Sequence, residues 1–148
     1  MANVKISQLS AKTSLSANDV FPIVDTDNSA TKKVTAENLK SYVRPYKVYT
    51  ALLTQAGTDA PVATVLENTI GDIVWARISE GSYEGILANA FTNNKTFILV
   101  GANLSDGTSE ITFETYAFLS KISLVNYAAR VTSDGLLYNT PIEIRVYP

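Results

Sequence analysis

At 148 residues, with 46% hydrophobic and 18% charged side chains and a net charge of −2, the chain is long enough for a sizeable core and too apolar for a disordered tail. It contains no His and no Cys, which removes disulfides, thiolate nucleophiles, imidazole bases and the usual zinc ligands. No apolar run approaches the ~20 residues of a membrane span, and Met1-Ala2-Asn3-Val4-Lys5 lacks the apolar stretch of a secretory signal.

The first 45 residues are a small, separate pattern. Val20-Phe21-Pro22-Ile23-Val24 is an apolar run between Asp19 and Asp25. Its internal Pro cannot donate to a ladder, which predicts an edge strand. Thr26-Asp27-Asn28-Ser29-Ala30 is turn chemistry, and Lys32-Lys33-Val34 returns as a second short strand. Thr35 is placed as the N-cap of a two-turn helix over Ala36–Val43, with Glu37 in its first turn. Pro45 stops that helix and pushes Arg44 toward extended geometry. A segment this small, with no Cys staple and no His or Cys for a metal clip, cannot offset its own chain entropy by burial. It is expected to fold against something else. The division is placed at residue 45, giving a head, 1–45, with six basic and four acidic residues (+2), and a body, 46–148, with six basic and ten acidic residues (−4). Two charges either way are ordinary solvated faces.

Past Pro45 the pattern changes to period two. Ile142, Ile144 and Val146 alternate with Glu143, Arg145 and Tyr147. Ile111, Phe113, Thr115 and Ala117 oppose Thr112, Glu114 and Tyr116, and Ile73, Trp75 and Arg77 oppose Val74, Ala76 and Ile78. Such alternation marks strands half-buried against a core. Further strands are predicted over 46–54, 61–68, 82–88, 95–100, 121–130 and a short 135–139, while 118–129 is open between helix and strand. Breakers fall at Gly57-Thr58-Asp59, Gly71-Asp72, Glu80-Gly81-Ser82, Asn93-Asn94, Ser105-Asp106-Gly107 and Ser133-Asp134-Gly135. About nine short strands with turns between them predict a mainly β fold, an antiparallel β-sandwich or jelly-roll-like domain.

Signatures of catalysis and cofactor binding are missing. No Gly-X-Ser-X-Gly frame and no Gly-rich phosphate loop opening a helix occurs. Asp25-Thr26-Asp27-Asn28 starts like a calcium loop but has no Gly at its sixth position, and Glu37 falls one residue late. Asp side chains capping a turn explain it better. The carboxylate pairs Glu80/Glu84 and Glu110/Glu114 flank a turn and share one strand face, where solvated acids are normal. No catalytic residue, cofactor site or metal site is therefore assigned. No basic stripe interleaves with aromatics, so no nucleic-acid partner is expected, and no membrane partner either. The glycosylation sequons at Asn94 and Asn103 carry no weight in a chain without a secretory signal. Trp75, Tyr116 and Tyr147 are the candidate exposed binding aromatics, Tyr116 and Tyr147 because they fall on the polar phase of their strands.

The ordered set Lys5-Ile6-Ser7-Gln8-Leu9, Asp19-Val20-Phe21-Pro22-Ile23-Val24, Thr31-Lys32-Lys33-Val34-Thr35 and Asn38-Leu39 resembles the short N-terminal attachment leader of phage fibre and appendage proteins. The β-rich remainder resembles small modules of phages and prophages of Bacteroidetes-type hosts. The resemblance spans about 40 residues and brings no catalytic residue with it. It implies a structural virion protein made in the bacterial host cytoplasm, a homotrimer docked on other virion proteins of the capsid or tail. Ile6, Leu9, Val20, Phe21, Ile23, Val34 and Leu39 would form its docking and oligomer interface. A chain ending at Pro148 is short for a long tail fibre and is expected to be a head fibre, capsid decoration or short tail-appendage subunit. The alternative is a carbohydrate- or receptor-binding module for host adhesion, with a host surface glycan as its partner. A polysaccharide-degrading enzyme lacks a suitable acid/base pair.

Overall fold

The computed structural model of the chain describes residues 11–101, 111–128 and 130–148. Ile6, Leu9, Asn103 and Glu110 lie outside the described residues, and the side chain of Glu114 is outside them too. The chain divides into two compact units, Met1–Pro45 and Tyr46–Pro148.

In the first unit, β1 (Val20–Asp25) and β2 (Ala30–Thr35) form an antiparallel hairpin that runs into α1 (Ala36–Val43). Phe21 sits opposite Val34 and Pro22 opposite Lys33. Both strands of a two-stranded sheet are edges, so the missing N–H of Pro22 is tolerated. The turn is closed by Asp25, whose carboxylate accepts from Asp27 N at 3.1 Å and Asn28 Nδ2 at 2.9 Å and pairs with Lys32. These contacts, Lys32 first, hold the Asp25 carboxyl below its ordinary pKa. With its oxygens committed in this way, the carboxylate acts as a turn cap.

Thr35 caps α1 from extended backbone, its Oγ1 accepting from Asn38 N at 3.2 Å. Two more first-turn amides are satisfied by the chain entering β1: Ala36 N donates to Asp19 O at 2.8 Å and Glu37 N to Ala17 O at 3.2 Å. Three of the four donors that a helix start leaves open thus have partners. At the other end Arg44 N returns to Lys40 O at 2.9 Å, and Pro45 prevents a further turn.

The second unit is an antiparallel, β-sandwich-like body. Its first sheet has the order β4 (Val62–Asn68), β3 (Lys47–Thr54), β11 (Thr140–Val146), β7 (Thr96–Val100). In the second, β5 (Val74–Ser79) pairs β6 (Ser82–Ile86), β6 pairs β9 (Lys121–Ala128), and β9 pairs β8 (Ile111–Phe118) on its other edge. The two-residue β10 (Val131–Thr132) pairs with Tyr127–Ala128, beyond the reach of β6.

Alternate residues of both sheets meet in one core: Tyr49, Ala51 and Leu53 of β3 and Ile142, Ile144 and Val146 of β11 face Trp75, Tyr83, Ile122 and Leu124. Phe91 and Leu137, from the connecting loops, complete it. The alternation in β11 and β5 reads directly into burial, and the open segment 118–129 becomes strand because Ile122, Leu124 and Asn126 are buried at spacing two. The expected strand over 135–139 does not form. That stretch crosses the end of the body, inserting Leu137 into the core and accepting Gln55 N at its carbonyl at 2.9 Å.

Candidate interaction surfaces

Of the described docking residues on the hairpin, Phe21, Ile23 and Val34 share one face and Val20 lies on the other. Phe21 and Val34 are opposite each other and half-buried, whereas Val20, Ile23 and Leu39 are exposed. Val24, Tyr42 and Val43 are exposed with them, and no residue of α1 is buried. A helix–hairpin unit normally hides one face of each element. Here Val20, Ile23 and Leu39, three of the positions predicted for contact, remain open.

Trp75 requires a correction: it is a core residue, 7% exposed, and offers no stacking surface. The reason is Gly85, its register partner on β6. A Cβ built on Gly85 would stand 3.2 Å from the Trp75 ring and 3.0 Å from Ile73, so the absent side chain makes the space the indole fills. The indole Nε1 donates to the Tyr49 hydroxyl at 3.4 Å. Burial raises the Tyr49 pKa, partly opposed by this bond. Beside this pair an open groove of about 360 Å³ lies between β4 and the start of β5, lined by Tyr49 and Trp75 with Pro61, Val65, Asp72 and Ile73.

Tyr116 and Tyr147 are exposed, at 54% and 37%. Tyr147 lies in an aromatic cluster at one end of the β11–β7 surface. Its ring centroid is 5.1 Å from that of Tyr46, and the Arg145 guanidinium sits 5.1 Å from the Tyr46 ring and 5.7 Å from Phe97. Arg145 is also paired with Glu143. Phe97 and Leu99, exposed on β7, continue the surface.

One polar cluster lay hidden in the sequence pattern. Arg77 Nε lies 3.1 Å from both carboxylate oxygens of Asp134, and Nη2 lies 2.6 Å from Oδ2. Asp134 Oδ1 also accepts from Gly81 N at 3.1 Å. The buried Tyr83 hydroxyl is 3.0 Å from Asp134 Oδ1 and 3.2 Å from Gln55 Oε1, so two acceptors share its proton. Gln55 Oε1 accepts Gly135 N at 2.6 Å, while its Nε2 donates to Asp59 O at 3.1 Å. This network joins the end of β3 in one sheet to β5 and β6 in the other. Arg77, as the first cause, draws the Asp134 pKa down to about 2. Burial, reinforced by the Asp134 carboxylate, drives the Tyr83 phenol upward and keeps it protonated. The available signal was Arg77 itself, which shares the phase of Trp75 and therefore needed a carboxylate partner.

Glu84 is bound to Lys121 at 2.6 Å. Among the described residues no group of three or more His, Cys, Asp or Glu side chains is placed to hold a metal ion. No helix among them is long and apolar enough to cross a membrane. Comparison with protein-family models, curated proteins and solved structures finds no match.

Proposed function

We propose that this chain is a structural virion protein of a tailed phage, a head fibre, capsid decoration or short tail-appendage subunit. Its first unit docks and oligomerises, as a homotrimer, on other virion proteins, and its β body projects from that attachment. The observation that carries this reading is the first unit's uncovered apolar surface: α1 has no buried residue, and Val20, Ile23, Val24 and Leu39 stand exposed. A partner that covers these side chains removes apolar area from water at roughly 25 cal/mol per Å². The division at Pro45 and the resemblance of the leader support the same assignment. The test is incorporation into phage particles of the full chain against a chain lacking residues 1–44, together with the mass of the full chain in solution. Loss of incorporation on truncation and a mass of three chains, or of a multiple of three, are expected. A monomer that stays on particles without residues 1–44 refutes the proposal.

A second reading, host-surface glycan binding, draws on the exposed cluster of Phe97, Tyr147 and Arg145, since ring faces stack on the C–H faces of sugars. A glycan array gives the answer: binding that disappears in Tyr147→Ala and Phe97→Ala favours it, and silence across a broad array removes it.

A further inference from the structure

The outer face of the second sheet carries an apolar row that stands exposed among the described residues. Register places Val74 beside Ile86, Ile86 beside Lys121, and Lys121 beside Phe118, one residue from each of four consecutive strands. At the usual strand spacing the row is about 14 Å across. Val74 is 65% exposed, Ile86 41% and Phe118 51%. Lys121 does not break the row: its ammonium lies 5.5 Å from the Phe118 ring centroid and 2.6 Å from Glu84 Oε1, so its methylene stem lies along the face. Tyr116 in the next row and Leu119 at the β8–β9 turn extend the patch. The outer face of the other sheet differs, with Glu143 and Arg145 of β11 in its middle.

We infer that this face is covered by a further copy of the same chain, packed sheet against sheet. Two features favour a second copy over other occupants. Among its described side chains the patch holds one anion, Glu84, next to one cation, Lys121. Copies facing one another can therefore exchange these partners with no net charge left over, which makes the face self-complementary. The five apolar side chains, each about half open, present on the order of 500 Å². With Ala76 and Ser123 of the next row and the Glu84–Lys121 pair between the rows, that approaches the roughly 800 Å² per partner of a stable interface. A nucleic acid would need net positive charge here, and a sugar would need converging polar groups.

The inference shares self-association with the proposed function but is independent of attachment to a virion. Sedimentation velocity of the full chain at micromolar concentrations tests it. The wild type is expected to associate, and Ile86→Lys to weaken association at least about tenfold, with an unchanged thermal midpoint showing that the fold is intact. Glu84→Lys alone sets two cations on the face and is expected to weaken association. Adding Lys121→Glu to it restores the pair and the association. A monomeric wild type, or an Ile86→Lys chain that associates as the wild type does, overturns the inference. Ile86→Lys is expected to retain binding to particles, because docking belongs to residues 1–45. Failure of this interface and failure of docking are therefore read on separate measurements.

Discussion

Removing the charge of Asp134 tests whether the polar network at the end of the body holds the two sheets together. In Asp134→Asn the Arg77 guanidinium loses its paired carboxylate, and the amide must replace an acceptor of four donors: Arg77 Nε and Nη2, Gly81 N and the Tyr83 hydroxyl. Hydrogen bonds to a charged group contribute about 1.5–3 kcal/mol net. Breaking a fully buried ion pair costs about 3–5 kcal/mol, but Arg77 and Asp134 keep 24% and 17% side-chain exposure, so water relieves part of that penalty. A loss of about 2–3 kcal/mol follows, a drop of roughly 8–14 °C in thermal midpoint for a body of this size. Urea unfolding followed by the fluorescence of Trp75, the single, buried tryptophan, measures it. The acid dependence gives a second handle. The folded pKa of Asp134 is depressed from 3.8 to about 2. Its contribution is therefore complete above the unfolded pKa near 4 and is lost as pH falls from there through 2. The difference between wild type and variant should close over that window. A difference under about 0.5 kcal/mol at neutral pH, or one unchanged down to pH 2, refutes the role assigned to the pair.

Five further substitutions separate local causes. Gly81→Ala would place Cβ 2.5 Å from Ser133 N and 2.8 Å from Asn126 O at a φ of +65°. It should cost more than about 3 kcal/mol in urea unfolding, whereas Gly135→Ala, at φ +76° with nothing within 4 Å, should cost only about 1 kcal/mol. Equal costs would show that the backbone beside Gly81 yields. Trp75→Ala should destabilise the body by about 3–5 kcal/mol, against under about 0.5 kcal/mol for Tyr147→Ala at the surface. The same unfolding assay compares them, and similar losses would contradict the buried indole. Thr35→Ala removes the Oγ1 cap of α1 and should cost about 1 kcal/mol locally. Amide hydrogen exchange at Asn38 should rise about fivefold, and unchanged protection there would remove the cap from the account.

Backbone pattern was the legible part of this chain. Thr35, Pro45 and the 26–29 turn set the first unit's elements by local chemistry alone, and each strand with clean alternation falls within a residue or two of its expected bounds. Side-chain placement was harder where it depended on a partner far along the chain. Trp75 reads as a possible surface aromatic until Gly85, ten residues on, is known to lie directly across from it. A Gly inside the strand pattern Ser82-Tyr83-Glu84-Gly85-Ile86 was the cue, because interior strand glycines mark a close approach. Asp134 sits in a turn-like Ser-Asp-Gly and looks solvated there. Only the fold brings it to Arg77, 57 residues away. The segment 135–139 misleads for a related reason, since Leu137 is buried by insertion at the end of the body without joining a ladder.

The apolar face of the second sheet was half-visible for a subtler reason. A strand covered on one side should alternate apolar with polar, yet β5 is apolar on both phases: Trp75 enters the core with its flanking neighbour Ile73 packed against it, while Val74 and Ile78 remain outside. Double-sided hydrophobicity in a short strand signals that both faces are buried somewhere. Among the described residues only one face is buried. The same arithmetic applies on a smaller scale to the first unit, where Phe21 and Val34 shelter each other but Val20 and Val24, on the other face of the hairpin, have no such pairing. In both places the apolar pattern exceeds what the described residues cover. That excess is the feature on which the proposed docking and the inferred sheet-to-sheet contact both rest.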